Sequence, residues 1–265
     1  MPESPKSVSS DVLLTDHSDP LIAICTLNRP QKRNALNIEL IEQLAIAVEA
    51  IASDAQKRVL IIRGNGPVFC AGLDLREAMD ESNSERSARG LARLYLGIAS
   101  APQITIASAQ GGAFGGGVGI LAACDLCVAA DDLHVGFPEV HRGLVAGLVT
   151  ALLRRQMGDK DLRQAVLLGQ TLDASAAQKI GIVQKIVPID QLAKETNQIA
   201  RTACQGAPGA IARTKRLLDD LSPRGLHTDM ERALQDHLTA RNSAEAKEGI
   251  AAFLEHRSPN WPSRG

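Results

Sequence analysis

The chain has 265 residues, 45% of them hydrophobic, with 29 basic and 30 acidic side chains and a formal net charge of −1. That balance gives no basis for binding nucleic acid or an anionic membrane surface, and the apolar runs are far short of a bilayer span. Five cysteines without framework spacing point to a reducing, cytoplasmic setting, and with 2% aromatic residues the core must be built from Leu, Ile, Val and Ala.

Residues 1–10 are polar, lack an apolar signal segment and are expected to be flexible. Val12–Leu14 and Leu21–Leu27 read as strands around a turn at His17–Pro20. After the basic loop Gln31–Leu36, Asn37 can cap a helix whose apolar face is Ile38, Ile41, Ala45, Val48 and Ala52. Arg58–Arg63 is a continuous apolar strand, the kind found in sheets covered on both faces. The stretch Phe69–Leu75 follows, and the polar region through Arg89 reads as a mobile surface loop. A helix is predicted at Leu91–Ile98 and a buried strand at Gln103–Ala109. That strand enters the glycine-rich segment Gly111–Gly119, and Val118–Ala123 can be helical. Leu126–Ala130 and His134–Phe137 read as extended, Gly147–Met157, Asp161–Leu168 and Ser175–Ile180 as helices, and Ile182–Val187 as a strand. From about Gln191 only helical patterns remain: Pro208–Leu221, His227–Arg241 and Ser243–Arg257, with a break at Ser222–Gly225. The expected organisation is α/β, with a core over 11–200 and a helical region over 201–265. Such helices cannot bury their apolar stripes alone and must pack on the core or on another chain, which suggests an oligomer.

Two loops place glycines beside potential oxyanion donors, Cys70–Asp74 and Phe114–Val118. Each follows an apolar strand and precedes a possible helix, where free N–H groups meet the positive end of the helix dipole. Two converging N–H groups would stabilise a carbonyl oxygen gaining charge, as in a thioester enolate. A phosphate cradle fits less well: there is no Gly-Lys-Ser/Thr ending and no dinucleotide fingerprint in a strand–helix setting. Plain structural turns fit the spacing equally. Glu139, after Phe137-Pro138, could shuttle protons if an apolar setting raised its pKa. The plainer reading is a surface carboxylate paired with His141 or Arg142. Asp125 reads as a turn or cap residue, and Cys124-x-x-Cys127 as buried thiols, since no second pair makes a metal set. The six histidines do not cluster. Lys32 and Arg33 could meet a phosphate, although ordinary solvated charge explains them too.

Taken together, Leu27–Pro30 with Asn34–Asn37, Phe69–Leu75, Gly112-x-x-x-Gly115-Gly116-Gly117 with Ala123–Asp125, Pro138-Glu139-x-x-x-Gly143-Leu144 and Glu248–Trp261 resemble the crotonase superfamily of enoyl-CoA hydratases and isomerases. The resemblance runs in order over about residues 10 to 261. It implies a spiral of ββα units, a C-terminal helical region that builds trimers or hexamers, and an acyl-CoA substrate. Coenzyme A is then part of the substrate, and neither a separate cofactor nor a metal is implied. By position, the thioester oxygen would accept from the backbone N–H groups of Leu73 and Gly116. Lys32, Arg33, Ala35, Ala71, Asp74 and Leu75 would contact CoA. Phe253 and the basic end near Arg257 would complete a neighbouring chain's CoA pocket.

The resemblance also implies two glutamates around a water in a typical hydratase. The second matches Glu139; Gly119 stands at the position of the first. The favoured reading is hydration of a 2-enoyl-CoA, with Gly119 and Phe114 lining the acyl pocket and Gly119 leaving room for a branched or carboxylated, methylglutaconyl-like acyl group. A 3-enoyl to 2-enoyl-CoA isomerase using Glu139 alone is the alternative, and a non-catalytic acyl-CoA-binding relative is a third reading.

Overall fold

The computed structural model describes residues 11–78, 80–222 and 225–261. The flexible segment expected at 1–10 lies outside them, as do Pro223 and Arg224 of the predicted helix break.

Side-chain alternation decides the architecture. Strand β1 (Leu13–Asp16) pairs antiparallel with β2 (Ile22–Leu27). On β2, Ala23, Cys25 and Leu27 point into one apolar cluster, and Ile22 and Ile24 into another. The first cluster includes Leu40, Ile41, Leu44 and Val48 of helix α1 (Ile38–Ser53). That helix begins where the sequence predicts, with the Asn37 side chain accepting from Leu40 N at 3.1 Å. Strand β3 (Val59–Gly64) runs parallel to β2 and splits the same way, Leu60 and Ile62 to one face, Val59 and Ile61 to the other. The sheet is therefore covered on both sides, as the continuous apolar run implies.

The predicted mobile loop is helical. Helix α2 (Leu75–Ala78) is followed by α3 (Glu81–Ser100), which begins ten residues before the predicted Leu91. Asp80 caps it, its carboxylate accepting from Ser82 N at 3.0 Å. Inward positions fall at Ser84, Ser87, Ala88, Leu91, Leu94, Tyr95 and Ile98, all buried and at helical spacing. The first of these are small or polar, so no apolar stripe announces the first half of the helix. Its outer face carries Arg86 and Arg93, paired with Glu42 and Glu49 of α1.

Two ββα units follow. Strands β4 (Ile104–Ala109) and β5 (Gly112–Phe114) lead to helix α4 (Gly116–Ala123). Strands β6 (Leu126–Ala130) and β7 (His134–Gly136) lead through a 3-10 turn at Pro138–Arg142 to helix α5 (Gly147–Leu153). The first strand of each unit joins the sheet of β2 and β3, and the second joins a smaller sheet. After α6 (Asp159–Leu167), β8 (Thr171–Asp173) completes the smaller sheet. Helix α7 (Ala174–Lys179) and strand β9 (Lys185–Val187) then close the larger one. The orders are β1-β2-β3-β4-β6-β9 and β5-β7-β8. Strands β5 and β8 are three residues each, too short for alternation to reveal them.

Helix α8 (Leu192–Ala203) covers the second face of the large sheet through Leu192 and Ala200. The helical region continues with α9 (Pro208–Asp220), α10 (Leu226–Arg241) and α11 (Ala244–Leu254). Helix α10 packs on α3 and α5, and α11 on the 3-10 turn that holds Glu139. Asp125 takes the structural role expected of it. Its Oδ2 accepts from Thr105 N at 2.8 Å and from Lys215 Nζ at 2.6 Å, tying the end of α4 to β4 and α9. Cys124 and Cys127 are free, buried thiols whose pKa values burial pushes up, that of Cys127 to about 12. The α/β class with a C-terminal helical region is thus what the chain adopts.

Candidate active site

Two loops meet because their backbones pair. A parallel bridge joins Leu36 and Leu73: Leu36 N donates to Gly72 O at 2.8 Å, and Asp74 N donates to Leu36 O at 3.0 Å. This pattern uses the groups flanking Leu73 and leaves its own N–H on the other side. A second bridge joins Cys70 to Ala113, with Cys70 N donating to Gly112 O and Phe114 N to Cys70 O, both at 3.0 Å. It draws the start of α4 against the same loop. Gly116 is the first residue of α4, where backbone N–H groups have no partner within the helix. Neither Leu73 N nor Gly116 N is used by a hydrogen bond among the described residues. A Cβ placed on Gly116 would lie 3.7 Å from Leu73 N, so the two donors are close neighbours.

Glycine is required where these loops touch. Gly115 has φ +48°, and a Cβ there would meet Glu139 Oε1 at 2.8 Å. Gly72 has φ +90°, and its Cβ would meet Phe114 O at 2.6 Å. Any side chain at either position would be strained and would separate the groups that converge here.

Glu139 shares the cavity with Leu73, Gly115 and Gly116; Leu91, Tyr95, Leu144, Val149 and His237 form much of the remaining wall. The enclosed volume is about 50 Å³, room for a few waters. The residue as a whole is half-buried, but its Oε2 is buried without any hydrogen-bond partner. Burial pushes the Glu139 pKa up to about 7, against the smaller opposing effects of a backbone hydrogen bond and Arg142. The plainer expectation of a paired surface carboxylate does not hold. His141 is exposed, and Arg142 lies over the Phe253 ring, 4.1 Å from its centre.

Of the residues assigned to CoA by resemblance, Ala71 and Leu75 line the cavity itself. Lys32 and Arg33 are exposed, and Arg33 has the left-handed φ of +51°. Ala71 N donates to Arg33 O at 2.9 Å, which joins this loop to the loop of Leu73. Buried Asn34 holds it in shape, donating to Asn65 O and Val68 O at 2.9 and 2.8 Å. Asp74 is ion-paired with Arg29 at 3.1 Å, and Arg29 also donates to Ala35 O. Leu75 packs on the cluster of Leu144, Ala246 and Ile250. Phe253 rests on Arg142 of its own chain, and Arg257 is paired with Glu248 at 2.6 Å and Glu255 at 2.7 Å.

Both acyl-pocket expectations need correction. A Cβ on Gly119 would lie 2.3 Å from Tyr95 Cζ, so the room expected there for a branched acyl group is filled by the Tyr95 ring. The Tyr95 hydroxyl donates to Gly116 O at 2.8 Å, fixing the ring and the first turn of α4 together. Phe114 packs its ring against Gly112 and Gly136 on the small sheet and is absent from the cavity wall. Tyr95 and His237 are among the wall residues that sequence reasoning missed. The one signal available for Tyr95 is that it is the only tyrosine in the chain.

Comparison with known proteins agrees with this geometry. Residues 18–264 match the family described as enoyl-CoA hydratase/isomerase. The 2,3-dehydroadipyl-CoA hydratase of Escherichia coli is 30% identical over 92% of this chain and 96% of its own. The mevalonyl-coenzyme A hydratase of Aspergillus fumigatus is 33% identical over 95% of each chain. A crystal structure of an enoyl-CoA hydratase from Mycobacterium avium subsp. paratuberculosis superposes with a TM-score of 0.85 at 28% identity, covering 95% of this chain and 99% of that one. The crotonase-like α/β fold coincides with a family match over nearly the whole sequence, and the chain belongs to the enoyl-CoA hydratase/isomerase family.

Proposed function

We propose that this protein adds water across the double bond of a short 2-enoyl-CoA. The observation that carries the proposal is the Glu139 carboxyl, with a pKa of about 7, in one cavity with the unspent N–H groups of Leu73 and Gly116. In this reading the thioester oxygen lies between the two N–H groups. Ionised Glu139 takes a proton as the water oxygen bonds to the β carbon, and the electron pair of the double bond moves to the oxygen as an enolate. Glu139 then returns that proton to the α carbon, which restores the thioester and the ionised carboxylate. Lys32, Arg33 and the loop through Asp74 and Leu75 hold the CoA portion. No cofactor is required, because CoA belongs to the substrate. Relatives named for dehydroadipyl- and mevalonyl-CoA make functionalised acyl groups the first extensions to try. The five unpaired thiols support a cytoplasmic setting.

A second reading rests on the same carboxyl. Among the described residues, Glu139 is the only carboxylate in the cavity wall, and one carboxylate suffices to move a proton between the α and γ carbons of a 3-enoyl-CoA. Crotonyl-CoA, substituted 2-enoyl-CoAs and a 3-enoyl-CoA, offered side by side, separate the two. Loss of the conjugated enoyl thioester absorbance marks hydration, and its gain marks isomerisation. Glu139→Gln is expected to slow the reaction by roughly 10²- to 10⁴-fold. Full activity in that variant overturns the mechanism, and tight binding of CoA esters with no turnover of any substrate makes the protein a binding relative.

A further inference from the structure

Four buried side-chain polar atoms have no hydrogen-bond partner among the described residues: Ser84 Oγ, Gln103 Oε1, Glu139 Oε2 and His237 Nε2. Only Glu139 and His237 belong to residues of the active-site cavity wall. Leaving a buried acceptor unpaired is costly, so two on residues of one cavity wall point to a ligand that supplies donors there.

His237 is carried on α10, which packs against α5, and its residue is 8% exposed. Its Nδ1 lies 3.2 Å from Val145 O. A carbonyl only accepts, so Nδ1 carries the ring proton and Nε2 presents a bare lone pair. Burial lowers the imidazole pKa, opposed by the hydrogen bond to Val145 and reinforced by nearby Arg241, so the net direction favours the neutral ring. Nε2 is therefore an unpaired acceptor on a residue of the cavity wall.

We propose that His237 Nε2 is the second acceptor for the nucleophilic water, each hydrogen of one molecule being held by Glu139 or by His237. This rests on the hydratase reading. Two fixed acceptors leave the oxygen lone pair directed between them, toward the β carbon, whereas Glu139 alone leaves the water free to turn about one hydrogen bond. After addition, the same nitrogen accepts from the new 3-hydroxyl of the product.

Two variants and two measurements test this. Hydration kcat is measured on crotonyl-CoA and other short 2-enoyl-CoAs, and affinity is measured for 3-hydroxybutyryl-CoA against butyryl-CoA, which lacks the hydroxyl. In His237→Phe, kcat is expected to fall about 100-fold with KM little changed, and any preference for the hydroxylated ligand to fall to about one. Butyryl-CoA affinity should stay within about threefold, which also shows that the variant is folded. His237→Gln, which keeps an acceptor, is expected to recover most of both. A His237→Phe protein that hydrates within about threefold of the parent, or that loses butyryl-CoA binding as steeply as turnover while His237→Gln does the same, overturns the role. A parent protein that hydrates none of these substrates overturns the hydratase reading itself, and the water-holding role with it.

Discussion

Glu139 owes its chemistry to what surrounds it rather than to a charged partner. Its Oε2 is buried and unpaired, and burial raises its pKa from the ordinary 4.5 to about 7. The proposed hydration starts from the ionised form, since a carboxylate must accept the proton of water. The sign follows: kcat/KM should be maximal above pH 7 and fall about tenfold per pH unit well below it, with the half-point near 7. A rate profile on crotonyl-CoA measures this directly. A half-point near 4.5 would mean that the carboxyl is solvated in the working protein, and the account of its burial would fail. Arg142 lies close enough to oppose the shift, but its guanidinium rests on the Phe253 ring instead of pairing with the carboxylate. Arg142→Leu should therefore move the half-point slightly upward, because the removed cation favours the ionised form.

Helix α3 shows how an element can be hidden from its own sequence. Its inward positions in the first half are Ser84, Ser87 and Ala88, and its outward ones are charged, so polarity alone suggests a loop. Beside its buried face, it is held by the Asp80 cap and by Arg86 and Arg93 reaching across to Glu42 and Glu49 on α1. The exposed pairs are worth little individually, while a cap contributes about 0.5–2 kcal/mol. Asp80→Ala should lower stability by about 1 kcal/mol in urea unfolding and open the 80–90 stretch to protease. An unchanged unfolding midpoint and cleavage pattern would show that the cap is immaterial. The contrast with α1 and β3 explains what was legible. There the apolar pattern is unbroken, so strand faces and helix cap could be read directly. The site divides in the same way. Leu73, Gly116 and Glu139 belong to loops whose glycines and proline stand out in the chain. Tyr95 and His237 lie on helices far away in sequence, and only packing shows that the Tyr95 ring fills the space over Gly119 and that α10 carries His237 to the cavity.

On the scale of the whole molecule, α9 leaves large apolar side chains in water. None of its residues is buried; Leu217 and Leu218 are 55% and 66% exposed, and Leu221, just beyond its end, is 73% exposed. Leu217 and Leu218, four and three residues before Leu221, each neighbour it at the end of the helix. A contiguous apolar surface of this kind is costly to leave in water, since fully burying one leucine stabilises by roughly 1.5–3 kcal/mol. A second copy of the chain seated on these leucines would remove that cost, and the resemblance implies a homotrimer or a dimer of trimers. Light scattering behind gel filtration should give three or six times the chain mass. Leu218→Glu would place a charge in the contact and should reduce that mass to the monomer's. Turnover offers a second reading from the same variant. Leu73, Gly116, Glu139 and His237 all come from one chain, so a dissociated variant should keep kcat within about threefold, given intact positioning of these groups. If Phe253 or Arg257 of a neighbouring chain helps to hold CoA, KM should rise on dissociation while kcat persists. A parent protein that runs as a monomer at micromolar concentration would show that the exposed leucines serve some other contact.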